Sequence, residues 1–267
     1  METKNEFVLE IKGLRTGYDN KTVIHDMTLD IKKGKITSII GENGCGKSTL
    51  LKTIGRILKP SKGELYLDGR NIHKTDTAVI AKLLGLLPQS PVIPNGLTVQ
   101  EIVEYGRFPH KKGRGKLDDN DHRIVKWALA QANLTELKDN LITELSGGQR
   151  QRAWIAMVLA QETDVVLLDE PTTYLDMVYQ LEVLELVQKL SVEKGITVVM
   201  VIHDINLASR FSDELIMLKD GSLIEQGTPY ETMTPEVLRN VFNIDAVIVT
   251  SPRDGKPVCL TYDIVRD

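Results

Sequence analysis

The stretch Gly41-Glu42-Asn43-Gly44-Cys45-Gly46-Lys47-Ser48-Thr49 has the spacing G-x-x-x-x-G-K-S, whose glycines let successive backbone N–H groups curl around phosphates. Lys47 supplies a positive charge for the β and γ groups of a nucleoside triphosphate, and the Ser48 hydroxyl is suited to ligate Mg²⁺. The stretch lies between an apolar strand pattern at 35–40 and a helical one (Leu50, Leu51, Ile54, Ile57), the setting such a loop requires. Cys45 occupies a variable position of the loop. A lone thiol is by default a packing group, but a helix N-terminus lowers thiol pKa, so alkylation at Cys45 is expected to inactivate and bound nucleotide to protect.

Two further groupings offer complementary chemistry. In Leu145-Ser146-Gly147-Gly148-Gln149, Ser146 and Gln149 are spaced as a capping box that opens a helix. Gly147 and Gly148 strip side chains from its first turn, so backbone N–H groups and the positive end of the helix dipole can meet an anion. Taken alone, these residues also fit an ordinary capped helix start. The second grouping is an apolar run from Asp164 that ends in two carboxylates, Asp169 and Glu170, the pattern of a parallel strand buried on both faces. Ligands collect at the carboxyl ends of such strands. Adjacent side chains point to different sides, so Asp169 would hold Mg²⁺ through water while Glu170 polarises an attacking water. Elsewhere two acids at a strand end could simply mark a turn.

Stepping outward, 7–12 and 28–31 read as antiparallel strands, 64–67 as a strand closing in the Asp68-Gly69 turn, and 83–87 as a buried strand ending in Pro88-Gln89. Residues 90–143 read as a mostly helical insert, with Thr98 capping one helix and 123–132 forming an amphipathic one. Helix 181–190 leads to a buried strand, 197–202, ending in His203-Asp204. Another strand and turn follow at 215–221, Thr234-Pro235 opens a short helix, and 244–267 reads as strand, turn at Asp254-Gly255, strand. Within this frame Tyr18 is a turn or packing aromatic, Gln89 a solvated loop residue and His203 a structural histidine, unless more is known. The basic loop 111–116, answered by Asp118, Asp119 and Asp121, is a solvated charge run or a contact with lipid headgroups or a membrane partner.

At 267 residues the chain suits one large or two small domains. Its net charge of −4 argues against coating nucleic acid. Cys45 and Cys259 alone make no disulfide framework and fit a reducing compartment. The opening residues lack the apolar core of a signal peptide, and no apolar run approaches the ~20 residues needed to span a bilayer. A cytosolic protein whose membrane role comes through a partner is expected.

In this order and spacing the motifs resemble those of the ATP-binding-cassette (ABC) ATPases, over about residues 8–230. The resemblance implies an α/β fold, a P-loop NTPase with a mainly parallel core sheet and an antiparallel β subdomain (1–89 and 161–230). It adds a helical subdomain (about 90–160) and a C-terminal extension (231–267). It makes Tyr18 the aromatic that stacks on adenine, Gln89 the glutamine that touches Mg²⁺ and the attacking water, and His203 the histidine at the γ-phosphate. Asp176 becomes the aspartate of the D-loop, and Ser146 to Gln149 the signature that contacts ATP in a second subunit. A homodimer closing head to tail over two ATP molecules follows, bound at the cytoplasmic face of the membrane to integral permease subunits and, through them, to a substrate-binding protein.

Tyr105-Gly106-Arg107-Phe108-Pro109-His110 and Thr172-Thr173-Tyr174-Leu175-Asp176 resemble segments of the importer ATPases for iron–siderophore, haem and cobalamin complexes. The rival is a soluble ABC ATPase of DNA repair or translation. Only about 100 residues separate the phosphate loop from the signature, too few for the long coiled coil of the repair proteins, and one cassette is present where translation factors usually carry two. A P-loop kinase would not need Leu-Ser-Gly-Gly-Gln.

Overall fold

Alternating apolar residues near the N-terminus build a long antiparallel ladder. The computed structural model describes residues 6–19, 21–91, 95–111 and 116–266. The opening residues and the 112–115 part of the basic loop, both considered above, lie outside the described residues. The chain divides into two compact units, one running up to Thr75 and resuming at Thr197, the other Asp76–Ile196.

In the first unit, β1 (Phe7–Tyr18) pairs antiparallel with β2 (Lys21–Lys32), turning its apolar positions Val8, Leu9, Ile11 and Leu14 inward. Then comes β3 (Ile36–Gly41), buried at every position, and the phosphate loop leads into α1 (Lys47–Ile54), whose Leu50, Leu51 and Ile54 are fully buried. Strand β4 (Lys62–Leu67) returns antiparallel to β1 and turns through Asp68 (φ 47°) and Gly69 (φ 73°) into the short β5 (Arg70–Asn71). Two successive positive-φ residues match the twist of a tight hairpin. The antiparallel sheet has the order β2-β1-β4-β5.

The second unit begins with α2 (Thr77–Ile80), capped by the Asp76 carboxylate, and β6 (Leu84–Leu87). Helix α3 (Val99–Glu104) starts at a capping box of Thr98 and Glu101 and continues as a 3₁₀ turn, Tyr105–His110. Helix α4 (Asp119–Gln131) is capped by Asp118, with Asp121 answering from the third position. Helix α5 (Gly147–Ala160) is followed by β7 (Val165–Asp169), buried throughout and parallel to β6, and by α6 (Met177–Lys194), which ends on Gly195 at φ 67°.

Back in the first unit, β8 (Thr197–Val201) runs parallel to β3, and α7 (Ile205–Phe211) leads to β9 (Glu214–Lys219), parallel to β3 on its other side. Strand β10 (Ser222–Gly227) turns back antiparallel to β9. Next come α8 (Pro229–Thr232) and α9 (Pro235–Phe242), the latter opened by Thr234 and Pro235, and then the hairpin of β11 (Ile244–Thr250) and β12 (Pro257–Ile264). Parallel strands buried on both faces, with helices between them, make this an α/β fold. Among the described residues no helix is long and apolar enough to cross a membrane.

Candidate functional site

The phosphate loop grows from the end of the central strand β3. Gly46 stands at the N-cap of α1 with φ 108°, a conformation that side chains rarely adopt, and α1 opens at Lys47. The Lys47 ammonium is buried and donates to the carbonyls of Gly41 and Glu42, both at 2.8 Å, so the loop folds around its own cation. The loop is braced from the β9–β10 turn, where the Gly221 N–H donates to the Cys45 carbonyl at 2.9 Å. Burial pushes the Cys45 thiol above its ordinary pKa, against the pull of the Lys47 charge, and the side chain is 3% exposed. The lowered pKa expected from the helix N-terminus is therefore corrected: desolvation outweighs the dipole and the nearby cation, so the reactive thiolate is scarce.

Two other sequence-predicted residues lie in the same unit. Tyr18 closes β1 opposite Lys21 and is half exposed. His203 follows β8 and is exposed, and its neighbour Asp204 caps α7 by accepting from Asn206 and Leu207 N–H groups at 2.8 and 2.9 Å.

The second unit holds the carboxylates. Asp169 ends β7 and is buried, as a strand with apolar residues on both faces requires. Glu170 then takes φ 53°, so the chain turns sharply where the strand stops. Strain of this kind concentrates at functional sites. Gln89, just beyond β6, donates its amide to Glu170 Oε2 at 2.6 Å, and the Thr173 hydroxyl donates to the same oxygen at 3.0 Å. The parallel pairing of β6 with β7 brings these two strand ends together.

The signature opens α5 with the expected box: the Gln149 N–H donates to Ser146 Oγ at 3.3 Å, and the Ser146 N–H donates to Gln149 Oε1 at 3.0 Å. Ser146 and Gly147 are exposed and Gly148 is buried. A Cβ at Gly148 would lie 2.6 Å from the Tyr179 ring, so only glycine lets α6 pass this close to the helix start. Asp176 caps α6 by accepting from the N–H groups of Val178 and Tyr179, both at 3.1 Å.

Two groups went unread in the sequence. Thr173 figured only as part of a subgroup pattern; a hydroxyl three residues after a carboxylate at a strand end was the available signal. Arg107 likewise figured only in a pattern. It is buried and donates to Asp121 Oδ1 at 2.8 Å, to the Ala160 carbonyl at 2.7 Å and to Glu162 Oε2 at 2.9 Å, while His110 Nε2 bonds the Gln161 carbonyl at 2.7 Å. The Gly-Arg-Phe-Pro-His segment thus clamps the 3₁₀ turn onto α4 and the end of α5.

This chain belongs to the ABC transporter family, whose model matches residues 24–173. It is the nucleotide-binding, ATP-hydrolysing subunit of a transporter, a kind of subunit that works with membrane permease partners. It is 54% identical, over 97% of this chain and 96% of the relative, to the iron(3+)-hydroxamate import ATP-binding protein FhuC of Bacillus subtilis (strain 168). Among solved structures it resembles a metal-chelate type ABC transporter in an inward-facing conformation (TM-score 0.82, 29% identity, 96% of this chain and 98% of that one). It also resembles a dimeric ATP-binding cassette in a post-hydrolysis state bound to ADP and phosphate (TM-score 0.72, 33% identity, 82% and 98%).

Proposed function

We propose that this subunit hydrolyses ATP to power uptake of iron–siderophore complexes through a partner permease at the cytoplasmic face of the membrane. The convergence of Gln89 and Thr173 on Glu170 Oε2 carries the hydrolytic part of this reading, because it presents a carboxylate oriented at the end of a buried strand. The cargo is supported by the likeness to the iron(3+)-hydroxamate import subunit along nearly the whole of both chains. Haem- or cobalamin-like complexes are the nearest alternatives.

Residue by residue, Tyr18 stacks on the adenine. The backbone of Gly41, Glu42, Asn43, Gly44, Cys45, Gly46 and Thr49 follows the phosphates, and Lys47 neutralises them. Ser48, Gln89 and Asp169 present a hydroxyl, an amide oxygen and a carboxylate, hard oxygen donors that suit Mg²⁺, which keeps several waters and binds few carboxylates. Held by these donors, Mg²⁺ would supply positive charge against the β- and γ-phosphates. Glu170 polarises the attacking water and His203 fixes the γ-phosphate. Ser146, Gly147, Gly148 and Gln149 of one copy receive the nucleotide of a second copy, Asp176 lies at the junction, and a homodimer results. A dimeric relative with bound ADP and phosphate supports that arrangement. A substrate-binding protein delivers the cargo to the permease.

The decisive experiment is ATPase activity in proteoliposomes that contain this subunit and its permease, with a binding protein either empty or loaded with a ferric hydroxamate siderophore. Stimulation by the loaded protein is expected. Activity that follows the permease but ignores iron complexes would keep the transporter and discard the cargo; no association with a permease would return the soluble reading. Lys47→Ala removes the cation that the loop is folded around, and charge-assisted hydrogen bonds contribute about 1.5–3 kcal/mol each. Nucleotide affinity should fall by roughly 10- to 100-fold, read by titration with a fluorescent ATP analogue; unchanged affinity would remove Lys47 from the phosphate clamp.

A further inference from the structure

We propose that Thr173 is the positioning residue that holds the Glu170 carboxylate in its working orientation. The inference rests on the reading of Glu170 as the group that polarises water, and it adds a residue to that site. After Glu170 leaves β7 at φ 53°, the chain folds back so that the Thr173 N–H reaches the Glu170 carbonyl at 3.3 Å. The same turn sets the Thr173 hydroxyl on Glu170 Oε2 at 3.0 Å. Backbone and side chain of one residue therefore grip backbone and side chain of the other.

A glutamate side chain has three rotatable bonds, and the turn by itself does not choose among its rotamers. The hydroxyl does. Its loss leaves the backbone anchored, because the Thr172 carbonyl accepts from the Leu175 N–H at 3.3 Å and from the Gln180 amide at 3.4 Å, and that amide also donates to the Leu175 carbonyl at 3.0 Å. Thr172 is buried whereas Thr173 is only half-buried, so the turn's packing belongs to the first threonine and the grip on the carboxylate to the second. Gln89 reaches the same oxygen but comes from the separate loop after β6, and its amide oxygen is the one proposed above for Mg²⁺. Thr173 is in the same turn as the carboxylate and stays with it. The turn then runs directly into Asp176 and the start of α6.

The test compares Thr173→Val, which keeps the shape and loses the hydroxyl, with Thr173→Ser, which keeps the hydroxyl, in the full chain assembled with its permease. Misorientation of about 1 Å costs on the order of 100-fold in rate. Thr173→Val should therefore lower kcat by about 10- to 100-fold while the KM for ATP stays within about twofold, the mark of an interaction lost in the transition state alone. Thr173→Ser should retain most of the rate. Should the valine variant melt early or fail to bind nucleotide, Thr173→Ala is read by the same criteria. The proposal is overturned if the hydroxyl-free variants turn over normally, if serine falls as far as valine, or if KM rises in place of a fall in kcat. Glu170→Gln is measured alongside: normal turnover there would unseat Glu170 itself, whereas an inactive Glu170→Gln beside a normal Thr173→Val would remove only the positioning role.

Discussion

Glu170→Gln should cut ATP turnover by about 10²- to 10⁴-fold, the usual worth of general-base help, and still bind ATP. The glutamine keeps the volume and can still accept from Thr173 through its amide oxygen, so the turn after β7 survives. It loses the charge that draws a proton from water. The variant should therefore accumulate with ATP bound and two copies closed on each other, because the bridging γ-phosphate is no longer removed. Phosphate release by a colorimetric assay and dimer retention by gel filtration in ATP report the two halves separately. Turnover near wild type would assign the base elsewhere. Loss of ATP binding would mean that Glu170 holds the nucleotide and does not act on water.

The second large effect belongs to stability. Arg107→Leu should destabilise the second unit by about 3–5 kcal/mol, the cost of breaking a buried ion pair from one side. The Arg107 side chain is 3% exposed and serves Asp121, Glu162 and the Ala160 carbonyl together. Its removal leaves the Asp121 carboxylate, among the described residues, with the Asp118 N–H at 3.1 Å and the more distant charge of His110. Burial works to raise the Asp121 pKa, but the Arg107 guanidinium and the Asp118 N–H overcome it and hold the group below the usual carboxylate value. A depressed folded pKa contributes stability that is present above the unfolded value, about 3.9, and is lost as pH falls through the folded one. Wild type should thus keep this contribution down to about pH 4 and lose it below, so the stability gap between wild type and Arg107→Leu should narrow as pH falls, because acid neutralises the stranded Asp121 carboxylate. Urea melts at neutral and acid pH check both statements. An unchanged midpoint would show that the clamp contributes little, and a double variant with Asp121→Leu that regains stability would show that the stranded carboxylate causes the loss.

Much of this site was legible because its signals are local. Spacing placed the phosphate loop between β3 and α1, and both ends of the box at Ser146 and Gln149 lie within one helical turn. Thr98 and Thr234 announced helix starts for the same reason. Less was legible where register or distant partners decide. Only parts of β1 and β2 showed in the alternation, because several register shifts, such as that between Ile11 and Leu14, break the two-residue period inside strands of 12 residues each. Asp118, Asp119 and Asp121 looked like counter-charges to a basic loop. Asp118 and Asp121 instead close the capping box of α4, and Asp121 also receives Arg107 from 14 residues away. The bond from Gln89 to Glu170 joins residues 81 positions apart, which no short window contains. Cys45 was misjudged because a motif gives a helix start but not the depth of burial.

The return of the chain to its first unit sets a timetable for synthesis. Strand β3 is buried at every position, yet its two neighbours, β8 and β9, emerge from the ribosome roughly 160 and 180 residues later. At about 5–20 residues per second, that leaves an unpaired sticky segment waiting for something like ten to thirty seconds. Meanwhile, within the continuous stretch Asp76–Ile196, β6 already has its parallel partner β7. The antiparallel ladder of β1, β2 and β4 and then the β6–β7 pair can therefore form on the nascent chain while β3 still waits for its own neighbours.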